Sequence, residues 1–372
     1  DLVLALLKSV DGSSKFSSDD IHDYFKMLNV ELKNSEGVAY SFVSRNFRIF
    51  LDLNHNLKNT YWVAIAALEN FRSIFYAGFK KYSNCYSDHR ESFCQCLFKK
   101  FPVPGEKLMD NISFLKEAIQ IEESIMDHAS KRHRGNIQLM AFYAQQANGT
   151  YAYENASCEL KLNRDFIIIC AKNGLSLKYL RQALRGFNHN KNFNISSKDF
   201  DINLAAISHN GNEIKYACSE IKKDKKMALF ALKNGANLEN LDNFFKDDEE
   251  IVTEAIKLDG RNLRFASPRL RKDSKMISRA IKSNGDVLES LPGKKYRADK
   301  SLVIDAIKFS QRGNVFTYIH SSLKKDKEFI LKAIKVYAQE NAYINFHTYV
   351  PKNMFIPWWN SPNEHRPSMS PI

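Results

Sequence analysis

Glycine and proline are scarce in this chain, which holds 14 glycines and 9 prolines among 372 residues. Both residues interrupt regular elements, glycine through its backbone freedom and proline through its missing N–H group. Their scarcity favours a helical protein. No hydrophobic run approaches the roughly 20 residues that a membrane-spanning helix needs, so no transmembrane segment is predicted.

Cysteine is also sparse, and six cysteines in a chain of this size do not suggest a disulfide framework. Cys170 and Cys218 lie at positions that predict small buried side chains, so a reducing cytosol is the expected compartment. The first residues, DLVLALLKSVDG, lack a basic leader, a small-residue cleavage site and a starting methionine. We therefore expect no cleavable signal peptide and interpret the chain as a fragment of a longer protein.

The familiar catalytic signatures are missing from the sequence. It contains no phosphate-binding glycine loop, no Gly-x-Ser-x-Gly elbow, no His-Glu-x-x-His pair and no kinase signature. No cofactor is expected, and a non-enzymatic role is favoured. Two alternatives stay open: a thiol–imidazole dyad that uses Cys85, Cys94 or Cys158, and an enzyme contained in residues 1–101.

One short stretch, NCYSDHRESFCQCLF, gathers four side chains of the types that bind zinc: Cys85, His89, Cys94 and Cys96. Their spacing fits no common zinc finger. On a helix Cys85 and His89 would share a face, whereas Cys94 and Cys96 would point apart. Ordinary packing or surface thiols are therefore favoured, and no metal site is predicted.

Hydrophobic residues make up 44% of the chain, which excludes wholesale disorder. Lysine and arginine outnumber aspartate and glutamate by 55 to 42, so the net charge is +13. A positive protein tends to bind acidic partners: nucleic acid, anionic lipid or acidic protein. The alternative, an ordinary solvated lysine-rich surface, is favoured by composition alone.

The stretch Asp248 to Leu270, DEEIVTEAIKLDGRNLRFASPRL, is the unit from which much of the chain is built. Asp248 is suited to cap a helix, because its carboxylate can accept from the free amides of the first turn. Gly260 is expected to end that helix in the left-handed conformation. Two sets of apolar residues recur at helical spacing. Ile251, Val252, Ala255 and Ile256 form an apolar stripe along the first predicted helix, and Leu263, Ala266 and Leu270 lie along a second.

Copies of this unit recur about every 25 residues, a period typical of solenoid arrays. One slot of the stripe holds a small residue in every copy, which predicts close helix–helix approach there. The sequence therefore predicts an all-α fold: an α-solenoid-like array of short helix pairs with a small helical N-terminal region. The residues of this small-residue slot are Ala118, Ala144, Cys170, Ala206, Ala231, Ala255, Ala280, Ala306 and Ala333.

Units of the form LKxDxxxVxxAIKxxGxxLxxAS resemble a helical repeat family of unknown function. That family occurs in intracellular bacteria and some protists, including secreted effectors of Legionella-like organisms. The resemblance covers residues 109–346, implies an all-helical array and carries no catalytic residues. It implies a bacterial protein that is translocated to the host cytoplasm, with a eukaryotic host protein as its partner. The segment between Leu184 and Asp199 departs from the pattern.

Three regions are predicted along the chain. The stretch FPVPGEK marks the first boundary, because two prolines and a glycine cannot continue a helix. Before it, helices are expected after Ser18 or Asp19 and from Tyr61 to Lys81, with a loop around Gly37. The regions are a helical N-terminal region over 1–105, an array of about nine helix-pair repeats over 106–346, and a proline-rich tail over 347–372.

The tail carries large apolar side chains, namely Phe355, Trp358 and Trp359. End units of a repeat array need covering, so these residues are interpreted as a cap on the last repeat. A docking motif for a partner is the alternative.

Basic residues recur between the second segment of one unit and the cap of the next. Stacking would align them along one edge, and such an edge would bind phosphates of nucleic acid or phosphoinositide with steep salt dependence. The alternative is that they solubilise the loops, with neighbouring aspartates partly neutralising them. This set, called the basic ridge below, consists of Lys222, Lys223, Lys246, Arg271, Lys272, Lys294, Lys295, Lys324 and Lys325.

Three functional hypotheses follow. A long array without a recognisable catalytic set favours a non-enzymatic scaffold whose extended surface binds another protein. The second hypothesis is recognition of nucleic acid or anionic phospholipid by the basic ridge. The third is a targeting module for an enzyme domain that lies outside this fragment or at its start.

Overall fold

The structure is a computed structural model that describes residues 17–81, 101–187, 199–291, 293–310 and 315–340. Within these ranges every regular element is helical and no strand occurs, so the predicted all-α repeat fold is confirmed. The chain divides into two compact units, Asp1–Ile195 and Ser196–Ile372. The division falls in the segment that interrupts the repeat pattern. The predicted region boundaries at 105 and 346 stay predictions.

Five repeats of the second unit are described in three parts, which we call the first helix, the middle segment and the third helix, and a sixth is described over its first helix alone. The first helices are Phe200–His209, Lys225–Lys233, Glu249–Leu258, Ser274–Ser283, Lys300–Lys308 and Lys327–Glu340. The middle segments are short, mostly 3-10 turns: Gly211–Tyr216, Leu238–Asn240, Gly260–Phe265, Gly285–Ser290 and Val315–Tyr318. The third helices are Ser219–Lys223, Asn243–Asp247, Pro268–Lys272, Lys294–Arg297 and Ser321–Lys324.

The segment after the glycine, expected to be one helix, is thus divided into two elements. In the repeat that Asp248 caps, the break falls at Ala266 and Ser267, which are extended. The Ser267 amide donates to the carbonyl of Lys246 in the preceding repeat, at 2.7 Å, instead of continuing a helix. The Ser267 hydroxyl accepts from the Leu270 amide, and Pro268 needs no backbone partner at the first helical position.

The predicted helix caps are confirmed. The Asp248 carboxylate accepts from the amides of Glu250 and Ile251 at 3.0 and 3.1 Å, which satisfies two of the free donors of the first turn. Equivalent residues cap the other five first helices of this unit and three helices of the first unit: Asp199, Asp224, Asp273, Asp299, Asp326, Asn111, Asn136 and Asn163.

The small-residue slot lies in the core, as predicted. All nine slot residues are at most 1% exposed. Within the second unit each first helix packs against the next one along the chain, so the six first helices form one layer. Small side chains at the slot permit this close approach.

In the repeat that Asp248 caps, the glycine after the slot does not end the first helix in the left-handed conformation, contrary to the prediction. Gly260 is not in the left-handed region; the helix ends at Leu258, and the extended Asp259 then begins the middle segment. A Cβ atom on residue 260 would lie 2.1 Å from the carbonyl oxygen of Ala280, in the slot of the next repeat. The glycine is therefore required by close approach of two backbones. Gly149, Gly211 and Gly285 have the same relationship to the next repeat.

The expected left-handed glycine occurs in the two repeats where the glycine comes one residue earlier. Gly174 and Gly235 lie four residues after their slot residues and have φ values of 100° and 83°. At Gly235 the next amide, that of Ala236, donates to the carbonyl of the slot residue Ala231 and closes the helix end. A glycine four residues after the slot thus forms a helix-terminating turn, and a glycine five residues after the slot forms the inter-repeat contact.

The first helix that the structure describes in the first unit is Ser18–Met27, which Ser17 caps, one residue before the expected position. The loop expected around Gly37 is wrong, because this glycine lies inside Glu36–Val43. The other helices described in this unit are Val30–Lys33, Arg48–Asp52, His55–Lys58, Tyr61–Lys81, Glu106–Met109, Ile112–Ile121, Glu123–His128, Lys131–Arg134, Ile137–Gln146, Gly149–Asn155, Cys158–Lys161, Arg164–Lys172 and Leu177–Phe187. The helix from Tyr61 to Lys81 has its predicted bounds.

The first unit also contains a repeat layout that the sequence analysis did not identify. The helices Glu36–Val43, Arg48–Asp52 and His55–Lys58 follow one another as a first helix, middle segment and third helix do. The Lys58 carbonyl accepts from the Gly105 amide at 2.8 Å, which joins this part to the third helix Glu106–Met109.

Candidate functional site

The basic ridge lies on the third helices and at their ends. Lys222, Lys223, Lys246, Arg271, Lys272 and Lys324 are inside these helices, and Lys325 follows the last one. Lys294 and Lys295 occupy another position, at the beginning of the third helix Lys294–Arg297. The residue that is equivalent to Lys246 in that repeat is Arg297.

One basic residue per repeat occupies an equivalent position on the third helix and is half-buried. The residue before it is buried in four of the five repeats and is the half-buried Tyr296 in the other. The Lys324 ammonium group donates to the carbonyl of Thr317, seven residues earlier, at 3.1 Å. Lys33 and Lys58 in the first unit make the same bond, to the carbonyls of Lys26 and Leu51. The ammonium group thus caps the end of the preceding segment.

The backbone of the same position joins neighbouring repeats. The Lys246 carbonyl accepts from Ser267, and the Arg297 carbonyl accepts from His320, at 2.7 and 2.9 Å. The carbonyls of Lys246 and Arg297 thus join neighbouring repeats, and the Lys324 side chain holds the preceding segment of its own repeat. This half of the predicted ridge contributes to the architecture.

The other half of the ridge faces solvent. Lys223, Lys272, Lys294, Lys295 and Lys325 are exposed. Within the described residues none of the nine ridge side chains forms an ion pair. Lys295 lies against the ring of Tyr296, with its ammonium nitrogen 4.8 Å from the ring centroid.

A ladder of opposite charges crosses the layer of first helices at its amino-terminal end. The Lys225 ammonium lies 2.7 Å from the Asp248 carboxylate and 2.8 Å from Glu250, in the next repeat. Lys300 lies 2.7 Å from Asp326 in the same way. At these two interfaces the first residue of one helix thus meets the cap of the next, so the two helix pairs have equivalent register.

These contacts change the titration of the caps. Partial burial alone would raise the pKa of Asp248, but hydrogen bonds from Lys225 and from two backbone amides hold it below its ordinary value. The pKa of Asp326 is lowered first by the Lys300 hydrogen bond and then by the Phe329 amide. The pKa of Asp299 is lowered mainly by the amide of Leu302.

Three of the six cysteines lie within the residues that the structure describes. Cys170 and Cys218 are buried, as predicted, and Cys158 is exposed. Cys85, His89, Cys94 and Cys96 lie outside the described residues, as do Phe355, Trp358 and Trp359. In the part of the chain that the structure covers, no cluster of histidine, cysteine or acidic residues could hold a metal ion. No described helix is long and apolar enough to cross a membrane.

Comparison with known proteins places the second unit in a class of repeat proteins. Residues 199–246, 248–297 and 299–351 match three tandem copies of a family model described as a domain of unknown function, DUF4116. Each match begins at the aspartate cap of a first helix, and the first two each contain two complete repeats. A search of curated proteins and a search of solved structures found no match.

The tandem matches support a helical repeat protein of a family whose function is unknown. The two-repeat length of each match shows that the family model counts a pair of the 25-residue sequence units as one domain.

Proposed function

We propose that this protein is a scaffold whose layer of first helices binds another protein. The carrying observation is the layer of six consecutive first helices, in which equivalent contacts recur: the Lys225–Asp248 and Lys300–Asp326 pairs, and the approach of Gly211, Gly260 and Gly285 to the next slot. Equivalent positions on successive helices then recur as columns across the layer, and solenoid proteins use such extended surfaces to bind partners. The matched family of unknown function is compatible with this role.

We further propose that the partner is a eukaryotic host protein and that the chain is a secreted bacterial effector that acts in the host cytoplasm. The resemblance of the repeat units to those of effector-borne repeats motivates this part of the proposal. It is independent of the scaffold function, because the same surface could bind a bacterial protein.

A competition capture experiment tests both parts. The immobilised chain is incubated with eukaryotic and with bacterial lysate, and bound proteins are identified by mass spectrometry with and without excess free chain. We expect a protein from the eukaryotic lysate that free chain displaces. If the free chain displaces no protein from either lysate, the scaffold function is wrong. A displaced protein from the bacterial lysate alone would contradict the host-effector part.

Recognition of nucleic acid or anionic phospholipid remains the second candidate function. The observation that supports it is the set of exposed ridge lysines, which have no ion-pair partner in the described structure. Binding of heparin or of phosphatidylserine vesicles should then fall steeply with salt. The variant Lys223→Gln/Lys272→Gln/Lys325→Gln should weaken it. Absence of binding at low salt would contradict this function.

A further inference from the structure

The outward face of the first helices in the second unit carries a second set of basic residues. In five consecutive repeats a lysine lies two positions after the small-residue slot, and each of these lysines is exposed. Two residues correspond to a rotation of about 200° around a helix, so these side chains point away from the buried seam. This lysine column consists of Lys233, Lys257, Lys282, Lys308 and Lys335.

Three members of the column have unengaged charges. Within the described residues Lys233, Lys282 and Lys335 form no hydrogen bond or ion pair. Lys257 pairs with Glu254 on its own helix at 2.6 Å. Lys308 lies near the ring of Phe309, 5.7 Å from the centroid.

A second column lies directly beside the lysines. It occupies the position four residues earlier, which shares a helix face with the lysine. Four of its six members are aliphatic; Leu331 is 46% exposed, and the other five are half-buried. The members of this mixed column are Leu204, Leu229, Thr253, Ser278, Ile304 and Leu331.

The same face contains a groove. It lies between the last two first helices, has a volume of 450 Å³ and includes the side chains of Ile304 and Phe329 in its wall. Lys300, Lys332, Asp305 and Glu328 complete the wall, so the groove offers apolar surface together with both signs of charge.

We infer that this face binds an acidic polypeptide segment that also carries apolar side chains. The inference deepens the proposed scaffold function and rests on it. Carboxylates of the segment would meet the lysine column, and its aliphatic side chains would cover the mixed column. The carboxylates of Glu250, Glu254 and Glu328 on the same face would repel a polyphosphate or an anionic lipid surface, whereas a polypeptide can place a basic side chain there.

The dimensions of the layer set the length of the segment. Packed helices lie about 8–10 Å apart, so the four steps between five lysines span about 32–40 Å. An extended chain advances about 3.3 Å per residue, and the column therefore matches about 10–12 residues.

Fluorescence anisotropy tests the inference with a labelled 12-residue peptide that contains glutamate and leucine. The test variant is Lys233→Gln/Lys282→Gln/Lys335→Gln. The matched control, Lys223→Gln/Lys272→Gln/Lys325→Gln, removes the same charge from the basic ridge. We expect the test variant to bind about tenfold more weakly and the control to stay within about twofold of the unchanged protein. Circular dichroism melting shows that both variants fold.

A second peptide, with serine in place of leucine, should bind more weakly to the unchanged protein, because the mixed column would lose its apolar contacts. Three results would overturn the inference: an equal loss of peptide affinity in both lysine variants, equal affinity of the unchanged protein for both peptides, or no peptide binding at all. So would tighter, column-dependent binding of oligothymidine or of phosphatidylserine vesicles. In those cases the lysate capture distinguishes the two claims: if free chain still displaces a captured protein, the scaffold function stands and only this surface assignment is wrong.

Discussion

The backbone of Gly260 lies against the carbonyl group of Ala280, so closely that a Cβ atom on residue 260 would come within 2.1 Å of that oxygen. Ala280 is itself fully buried in the small-residue slot. One glycine and one alanine, 20 positions apart in sequence, thus set the distance between two neighbouring repeats. Because the same pairing recurs at Gly211 and Ala231, and at Gly285 and Ala306, it is a property of the repeat.

Gly260→Ala should destabilise the second unit by about 1–3 kcal/mol, because the new methyl group forces the two backbones apart. The control is Gly37→Ala, at the second residue of the helix Glu36–Val43, where an added Cβ meets nothing within 4 Å. That change should stabilise the protein by about 0.4–1 kcal/mol, since alanine leaves the unfolded chain less conformational freedom than glycine does. Urea unfolding measures both. Equal effects of the two substitutions would show that residue 260 is not in close contact.

Ala255→Leu should also cost about 1–3 kcal/mol, because the slot residue is 0% exposed and has no room for a larger side chain. The neighbouring exposed position offers a control, Lys257→Leu, which should change the free energy of unfolding by less than about 0.5 kcal/mol. A melting temperature that Ala255→Leu leaves unchanged would place the slot at the surface.

Acid should destabilise the second unit through its aspartate caps. The pKa values of Asp248, Asp299 and Asp326 are lower in the folded protein than in the unfolded chain. Such groups stabilise the fold fully above the unfolded pKa of about 3.9, and the stabilisation is lost as pH falls through the lower folded values.

The triple variant Asp248→Asn/Asp299→Asn/Asp326→Asn keeps a capping oxygen at each position but removes the titration. Its unfolding free energy between pH 6 and pH 3 should therefore fall less steeply than that of the unchanged protein. A parallel pH dependence in both proteins would show that other carboxylates are responsible.

The basic residue of the third helix should be distinguishable from its neighbour by stability. Lys324→Met removes the bond to the Thr317 carbonyl and should cost about 0.5–1.5 kcal/mol. Lys325→Met removes an exposed charge without a described partner and should change stability by less than about 0.5 kcal/mol. Thermal unfolding of the two variants compares them directly, and the opposite order would contradict the structural role of Lys324.

Thiol reactivity should follow burial. Burial raises the pKa of Cys170 well above its ordinary value, and the reactive species is the thiolate. Iodoacetamide should therefore modify the exposed Cys158 in the native protein and leave Cys170 and Cys218 unmodified until urea is added. Peptide mapping by mass spectrometry quantifies each site. Rapid native modification of Cys170 would contradict its place in the slot.

Much of the repeat could be predicted from sequence because capping and burial leave local signals. An aspartate before an apolar stripe identifies the cap at Asp248, and a small residue at a fixed position identifies the slot at Ala255. The two roles of glycine were not separated, because both occur at the end of a helix. The distinguishing signal is a spacing of four residues from the slot, as at Gly235, or of five, as at Gly260.

The basic ridge shows a different limit of sequence reasoning. Sequence position alone predicts loops that align along one edge, whereas the structure places most of these residues inside the third helices. The partner of the Lys324 ammonium is a backbone carbonyl, and any residue type supplies one, so the sequence contains no signal for this bond. The sequence shows Lys257 and its equivalents, but the helix dipole favours a cation near the carboxyl end of any helix, which accounts for each lysine separately. Only the layer of packed helices brings them together.

The most direct test of the aligned layer is the distance between equivalent positions two repeats apart. Spin labels on Lys257→Cys and Lys308→Cys, in a protein whose native cysteines are replaced, report this distance by double electron–electron resonance. Two helix spacings predict a narrow distribution near about 16–20 Å, widened by the label arms. A mean distance beyond about twice that value, or a broad distribution, would show that the first helices do not form one layer in equivalent register.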